Sequence, residues 1–332
     1  MPARRPTLVE DGAAVLVLDQ TRLPAAAVMQ QLVTLEDAAH AIRTMQVRGA
    51  PLIGATAAYG MALALGEAAD DARLEVVRAT LAATRPTAVN LQWALQRMLR
   101  VLHAVPPRER RERAWAEARA IAAEDRAANA AIGRHGLPLL LACRKPGRTL
   151  NVMTHCNAGR LATVDHGTAL APVYAAHAAG EAVHVWVSET RPRNQGLLTA
   201  WELAEAGVPY TLVADNAAGL LMMQHRVDVV IVGADRIAAN GDVANKVGTY
   251  LKALAAAAHG VPFYVAAPLS TIDYACSAGA DIPIEERDGA ELGADGLPVA
   301  NPAFDVTPAA RVTAIVSERG ALPAGEIGAW KN

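Results

Sequence analysis

The chain has 332 residues, of which 52% are hydrophobic, 19% charged and 4% aromatic, and its formal net charge is -2. That length points to two domains, or one large domain with an N-terminal extension, and leaves ample apolar material for a core. A nearly balanced charge excludes the broad positive field that sequence-independent nucleic-acid binding draws on, so the expected partner is a small molecule, with no nucleic acid and no membrane.

Behind Arg4 and Arg5, the stretch from Pro6 to Ala13 carries Glu10 and Asp11 where a signal peptide needs an apolar run. Ala14 to Leu18 reads as a short strand. Leu35 to Met45 has helical spacing with Glu36 and Asp37 in its first turn. Pro51 opens another helix. The uncharged stretch Gly49 to Gly66 is long enough for a short membrane span, but Pro51, Thr56 and its glycines favour a buried helix. Helical patterns follow at Arg73 to Ala83 and Ala88 to Leu102, the second with Thr87 as N-cap. Arg108 to Leu141, rich in Ala, Arg and Glu, predicts a long helix or a helix pair broken at Gly133 and Gly136. The domain boundary is placed there, giving a mainly helical domain over residues 1–130 and a catalytic domain over 131–332.

From Thr149 the pattern changes to short apolar runs at Leu150 to Met153, Val183 to Val187, Tyr210 to Val213, Val229 to Val232, Phe263 to Ala266 and Val312 to Val316. Helical segments alternate with them at Ala169 to Ala179, Leu197 to Ala206, Ala217 to Gln224 and Lys246 to His259. That alternation predicts an α/β domain with a doubly wound parallel sheet, whose ligand site lies beyond the carboxyl ends of its strands.

The first of those strands runs into Thr154-His155-Cys156-Asn157-Ala158-Gly159 and places a thiol at a strand end among small and polar residues. A thiolate there can serve as base or nucleophile; the competing reading is an inert buried cysteine. The fourth strand ends in Gly233-Ala234-Asp235-Arg236, which brings a carboxylate to the same edge, either as an acid or as a turn cap. Arg48-Gly49-Ala50, Arg85, Gln195-Gly196 and Asn245-Lys246 each stand near a predicted helix N-terminus, where free N–H groups and a basic side chain suit a phosphate; the competing reading of such an Arg alone is a solvated surface charge, and the common placement of all four is what counts. There is no G-x-x-x-x-G-K-[ST] loop, and the turn after the first strand is not G-x-G-x-x-G, so no nucleotide cofactor is expected. His155, Asp165 and His166 match no common zinc spacing, and no metal is expected. Cys143, Cys156 and Cys276 form neither a C-x-x-C pair nor a disulfide framework, which fits a reducing, cytoplasmic setting.

Several longer strings occur in a telling order. They are Val47 to Pro51, Arg85 to Leu91, Thr154 to Gly159, Glu189-Thr190-Arg191-Pro192, Gly233 to Arg236, Ala239 to Asp242, Asn245 to Tyr250, Ile282 to Arg287 and Asn301 to Pro308. Together they resemble the methylthioribose-1-phosphate isomerase family over nearly the whole chain. The resemblance implies a Rossmann-like C-terminal domain behind a smaller, mainly helical N-terminal domain, with the site between the two. It also implies a cytoplasmic homodimer that isomerises an aldose 1-phosphate to a ketose 1-phosphate in methionine salvage, without cofactor or metal. The family's catalytic pair falls on Cys156 and Asp235, and its substrate contacts on Arg48, Gly49, Ala50, Arg85, Gln195, Asn245 and Lys246.

Three departures stand out. Ser188 occupies the place of a common Asp, the segment after Gln195 is one residue short, and Arg160 adds a positive charge. Ser188 and the short segment flank Gln195 and are expected to bear on the pocket wall; Arg160 would favour a more anionic substrate. 5-Deoxyribose 1-phosphate and ribose 1,5-bisphosphate share the reacting carbons and are the alternative substrates. A reading of another class is a non-catalytic regulatory protein, like the related subunits of the eukaryotic translation initiation factor exchange complex.

Overall fold

The structure is a computed structural model and describes residues 5–66, 69–294 and 296–331. Residues up to 127, with 161–165, form one compact unit; 128–160 with 166 onward form the other.

The first unit opens with three strands, β1 (Leu8–Asp11), β2 (Ala14–Leu18) and β3 (Met29–Leu32), paired antiparallel in the order β1-β2-β3. The sequence pattern predicts β2 alone. β1 and β3 are short, and Glu10, Gln30 and Gln31 dilute their apolar content. Helices α1 (Leu35–Arg43), α2 (Ala50–Ala64), α3 (Asp71–Ala82) and α4 (Val89–His103) follow. Thr34 and Asp37 close α1 with a reciprocal capping box, which satisfies two otherwise orphaned N–H groups. The uncharged α2 is buried over nearly its whole length, as befits a helix that is apolar all round. Among the described residues no helix is long and apolar enough to cross a membrane. The N-cap of α4 is Ala88, one residue after the expected Thr87.

Helix α5 (Arg110–Ala142) carries the chain out of the first unit and into the second. It is one helix, not a pair. Its glycines serve close packing rather than a break: a Cβ on Gly136 would stand 2.4 Å from Pro172 Cγ.

The second unit alternates β4 (Leu150–Thr154), α6 (Leu170–Ala178), β5 (Val183–Ser188), α7 (Gly196–Ala206), β6 (Tyr210–Val213), α8 (Ala217–Met223) and β7 (Val229–Val232). After β8 (Arg236–Ala238) and β9 (Val243–Lys246) come α9 (Thr249–Ala258), β10 (Phe263–Ala266), β11 (Ile272–Asp273), β12 (Phe304–Thr307), β13 (Ala314–Ser317) and β14 (Gly320–Leu322). The main sheet has the order β14-β13-β10-β7-β4-β5-β6, and only the β13–β14 pair is antiparallel. Chain order therefore reverses at β4, whose neighbours are β5 on one side and β7 on the other. Strands such as Val229–Val232 are buried throughout, which is why they read as continuous apolar runs. A second sheet, β11-β8-β9-β12, is absent from the sequence expectation. Its strands are two to four residues long, and β9 reads Val-Ala-Asn-Lys, with little apolar signal.

Candidate active site

The second unit builds its polar centre at the carboxyl ends of four adjacent parallel strands, β7, β4, β5 and β6. Beyond β4, Cys156 is 8% exposed and adopts the left-handed region at φ 63. Its N–H donates to Thr190 Oγ1 at 2.9 Å, and its carbonyl accepts from Thr199 Oγ1 at 2.8 Å. Asn157 turns inward, its amide donating to Thr199 Oγ1 at 3.1 Å and to the buried Glu202 carboxylate. Asp235 leaves the neighbouring strand β7, and its N–H donates to Ala244 O at 2.9 Å. Register sets Met153 opposite Val230, so both strands deliver their loops to one place. The loops pack tightly, because a Cβ on Gly233 would stand 2.7 Å from Ala158 Cβ. Arg236 pairs with Asp273 at 3.6 Å.

Gln195 immediately precedes α7 and is buried, and its Oε1 has no hydrogen-bond partner among the described residues. Such an acceptor suits a ligand hydroxyl. Asn245 and Lys246 belong to strand β9 and not to the start of a helix. Asn245 Nδ2 donates to Thr249 Oγ1 at 3.1 Å, and the Lys246 ammonium lies 4.6 Å from the Phe304 ring centroid. The N-terminus of α9 is served by the chain itself: Asp305 Oδ2 accepts from Gly248 N–H at 2.6 Å and Oδ1 from Tyr250 N–H at 3.1 Å. Burial raises the Asp305 carboxyl above the ordinary range despite those bonds.

Arg160 is buried with its guanidinium 3.0 Å from Glu205 and over the Trp201 ring, so a carboxylate already matches the extra charge noted in the sequence. Ser188 is also buried, and its hydroxyl donates to Asp215. His155 is fully buried; Nε2 lies 2.8 Å from Val247 O, an acceptor only, so that nitrogen carries the proton. Burial first, and then the Lys252 charge, hold His155 neutral far below the ordinary histidine range. An unfolded histidine takes up a proton near pH 6.5, whereas this folded one does so only at about pH 3, so its contribution to stability is full above the first value and is lost progressively as pH falls toward the second. Replacing His155 by Gln, which keeps a donor for Val247 O, is expected to flatten the fall in melting temperature between pH 7.5 and 5; an unchanged profile would show that His155 does not contribute.

In the first unit, Gly49 is the N-cap of α2 at φ 91 and ψ 133, and Ala50 is the first helical residue. Arg48 and Arg85 stand just before α2 and α4. The opening turns of those helices meet, since a Cβ on Gly54 would stand 2.9 Å from Asn90 O. Arg48, Gly49, Ala50 and Arg85 thus share one end of this unit, while Cys156, Gln195, Asp235, Asn245 and Lys246 lie in the other.

Sequence reasoning missed Thr190, Thr199, Asp215 and Lys252, all set around Cys156 and its turn. Thr190 falls within one of the recognised strings, but nothing in the sequence marks it as a partner of Cys156.

Residues 46–324 match the model of the Initiation factor 2 subunit family. Methylthioribose-1-phosphate isomerase of Dechloromonas aromatica is 64% identical, the match covering 99% of this chain and 96% of that protein. The corresponding enzyme of Methylorubrum extorquens is 59% identical over 96% of this chain and 93% of its own. The crystal structure of 5-methylthioribose 1-phosphate isomerase from Pyrococcus horikoshii superposes with a TM-score of 0.87 at 42% identity, covering 99% of this chain and 96% of that one. That of translation initiation factor eIF-2B subunit delta from A. fulgidus gives 0.82 at 40% identity, over 96% of each chain. The chain belongs to the Initiation factor 2 subunit family, on its methylthioribose-1-phosphate isomerase side.

Proposed function

We propose that this chain isomerises the aldose 5-methylthioribose 1-phosphate to the ketose 5-methylthioribulose 1-phosphate, a step of methionine salvage, with Cys156 and Asp235 as its acid–base pair. The supporting observation is that a thiol and a carboxylate leave adjacent parallel strands at the edge where chain order reverses, the usual ligand position in open α/β sheets. The resemblance to relatives named for this reaction, at up to 64% identity among those described above, supports the same reading.

The phosphate on C1 blocks the simple ring opening that free aldoses undergo, so the ring oxygen must be protonated as its bond to C1 breaks. Asp235 gives that proton. Cys156, as thiolate, removes the proton from C2, and the bond electrons form the C1–C2 double bond of an enol phosphate. C1 then receives a proton while the C2 hydroxyl loses one, which yields the ketone with no redox partner. Arg48, Arg85 and Lys246 supply positive charge for the phosphate, and Gln195 and Asn245 serve the sugar hydroxyls. We read the second unit as a Rossmann-like doubly wound domain, which its strand order supports. The working form is a cytoplasmic homodimer. The three cysteines, none of them in a disulfide, support that compartment, and the exposed Tyr210 and Leu212 on the edge strand β6 support an interface.

Phosphorus NMR of the purified protein in D2O, with no added metal or nucleotide, tests this against methylthioribose 1-phosphate, 5-deoxyribose 1-phosphate and ribose 1,5-bisphosphate. The methylthio sugar is expected to convert fastest and to carry deuterium at C1. Deuterium at C1 would reject a pure hydride shift. A faster alternative sugar would rename the C5 group, and no conversion of any would move the chain to the regulatory reading.

A further inference from the structure

Lys252 is 2% exposed within α9, and its ammonium lies 3.7 Å from Asp215 Oδ1 and 3.5 Å from Gly248 O. A buried cation needs a counter-charge, and Asp215, just beyond β6, is the carboxylate at hand. Asp215 is itself closely held. Oδ1 accepts from Thr190 N–H at 2.9 Å and from the Ser188 hydroxyl, and Oδ2 accepts from Arg191 N–H at 2.7 Å. Although burial alone would raise its pKa, the Ser188 hydroxyl, those N–H groups and the Lys252 charge keep it ionised.

These contacts fix Thr190 at φ 68, a left-handed conformation that is rare for a β-branched residue. Thr190 Oγ1 donates to Ser188 O at 2.9 Å and accepts the Cys156 N–H at 2.9 Å. Cys156 is left-handed too, and its carbonyl is held from the other side by Thr199. A turn that needed only to form would place glycine at such positions. Retained strain around a candidate reacting group, over-determined by buried hydrogen bonds, points to a geometry that matters.

We propose that Asp215 is a positioning residue: anchored by Lys252 and Ser188, it fixes Thr190, whose hydroxyl in turn fixes the peptide that carries the Cys156 thiol. This rests on the reading of Cys156 as the proton-transfer group. It also gives Ser188 a place: its side chain supports the clamp.

Thr190→Val removes the hydroxyl and keeps the branching, whereas Thr190→Ser keeps the hydroxyl. Misplacement of a reacting group by about 1 Å costs on the order of 100-fold, so Thr190→Val is expected to lower kcat by roughly that factor with KM within about twofold. Thr190→Ser is expected to restore most of kcat. Asp215→Asn, which keeps an oxygen for the Thr190 N–H but removes the charge, is expected to lower kcat about tenfold at similar KM, and it tests the proposal should Thr190→Val fail to fold. Unchanged kcat in Asp215→Asn, or a loss in Thr190→Ser as deep as in Thr190→Val, would overturn it. Cys156→Ala, run in parallel, separates the two claims: full turnover there removes the catalytic reading of Cys156, whereas an inactive Cys156→Ala beside a fully active Asp215→Asn removes the positioning role alone.

Discussion

Cys156→Ala and Asp235→Asn are each expected to lower kcat by about three orders of magnitude while leaving folding and sugar-phosphate binding in place. General acid–base groups typically contribute about 100- to 10,000-fold, and a 1,000-fold loss corresponds to about 4 kcal/mol of barrier. The fold should tolerate both changes. Alanine at position 156 inherits a left-handed backbone that the native cysteine already adopts, and the two bonds that hold this residue, from Thr190 and Thr199, use its backbone N–H and carbonyl. Asparagine at 235 keeps the size of the carboxyl and removes its proton chemistry. If the two groups act in one concerted sequence, the double variant should be little worse than either single one, because groups that work as a unit are far from additive. Kinetics of all three variants, with calorimetric titration of the ketose phosphate, would check this. Full activity in either single variant would remove that residue from the mechanism, and lost binding in both would assign the residues to holding the ligand.

The parallel sheet was legible because its strands are buried on both faces and read as unbroken apolar runs between helical patterns, as Val229–Val232 and Phe263–Ala266 do. The same logic puts Cys156 and Asp235 just beyond the carboxyl ends of two strands, which are the neighbours β4 and β7. Elements with little apolar signal escaped it: β3 and β9 are stabilised by pairing with their neighbours. The expected position at a helix N-terminus holds for Gly49, which is the N-cap of α2, but not for Asn245 and Lys246, which lie in β9. There the helix starts three residues after Lys246, and Asp305, distant in sequence, serves its N–H groups. Nor does any local pattern join Asp215 and Lys252 to position 156, since the three meet only once β4, β6 and α9 are assembled.

Gly49→Ala is expected to be strongly destabilising, and the reason lies on both sides of the residue. Its φ of 91 with ψ of 133 is a conformation that side chains rarely adopt. An added Cβ would also stand 2.4 Å from Ala162 Cα and 2.5 Å from Ala162 O, which are backbone atoms that cannot rotate away. Nor can the 161–165 segment yield easily. Gln20 Nε2 donates to Leu161 O at 2.6 Å, Thr7 Oγ1 to Thr163 O at 2.8 Å, and Val164 N–H to Asp125 at 2.7 Å. Conformational strain and overpacking together suggest a loss of about 3 kcal/mol or more, hence a fall in melting temperature of roughly 10 °C for a unit of this size. Gly147→Ala is the matched control. That glycine is also left-handed, at φ 69, but has nothing within 4 Å of an added Cβ, so its loss should stay near 1 kcal/mol. Thermal melts of the two variants therefore separate backbone strain from collision. Equal losses would mean that the Ala162 segment gives way, and kcat should then fall in Gly49→Ala as well, because that segment continues the chain only a few residues beyond Cys156.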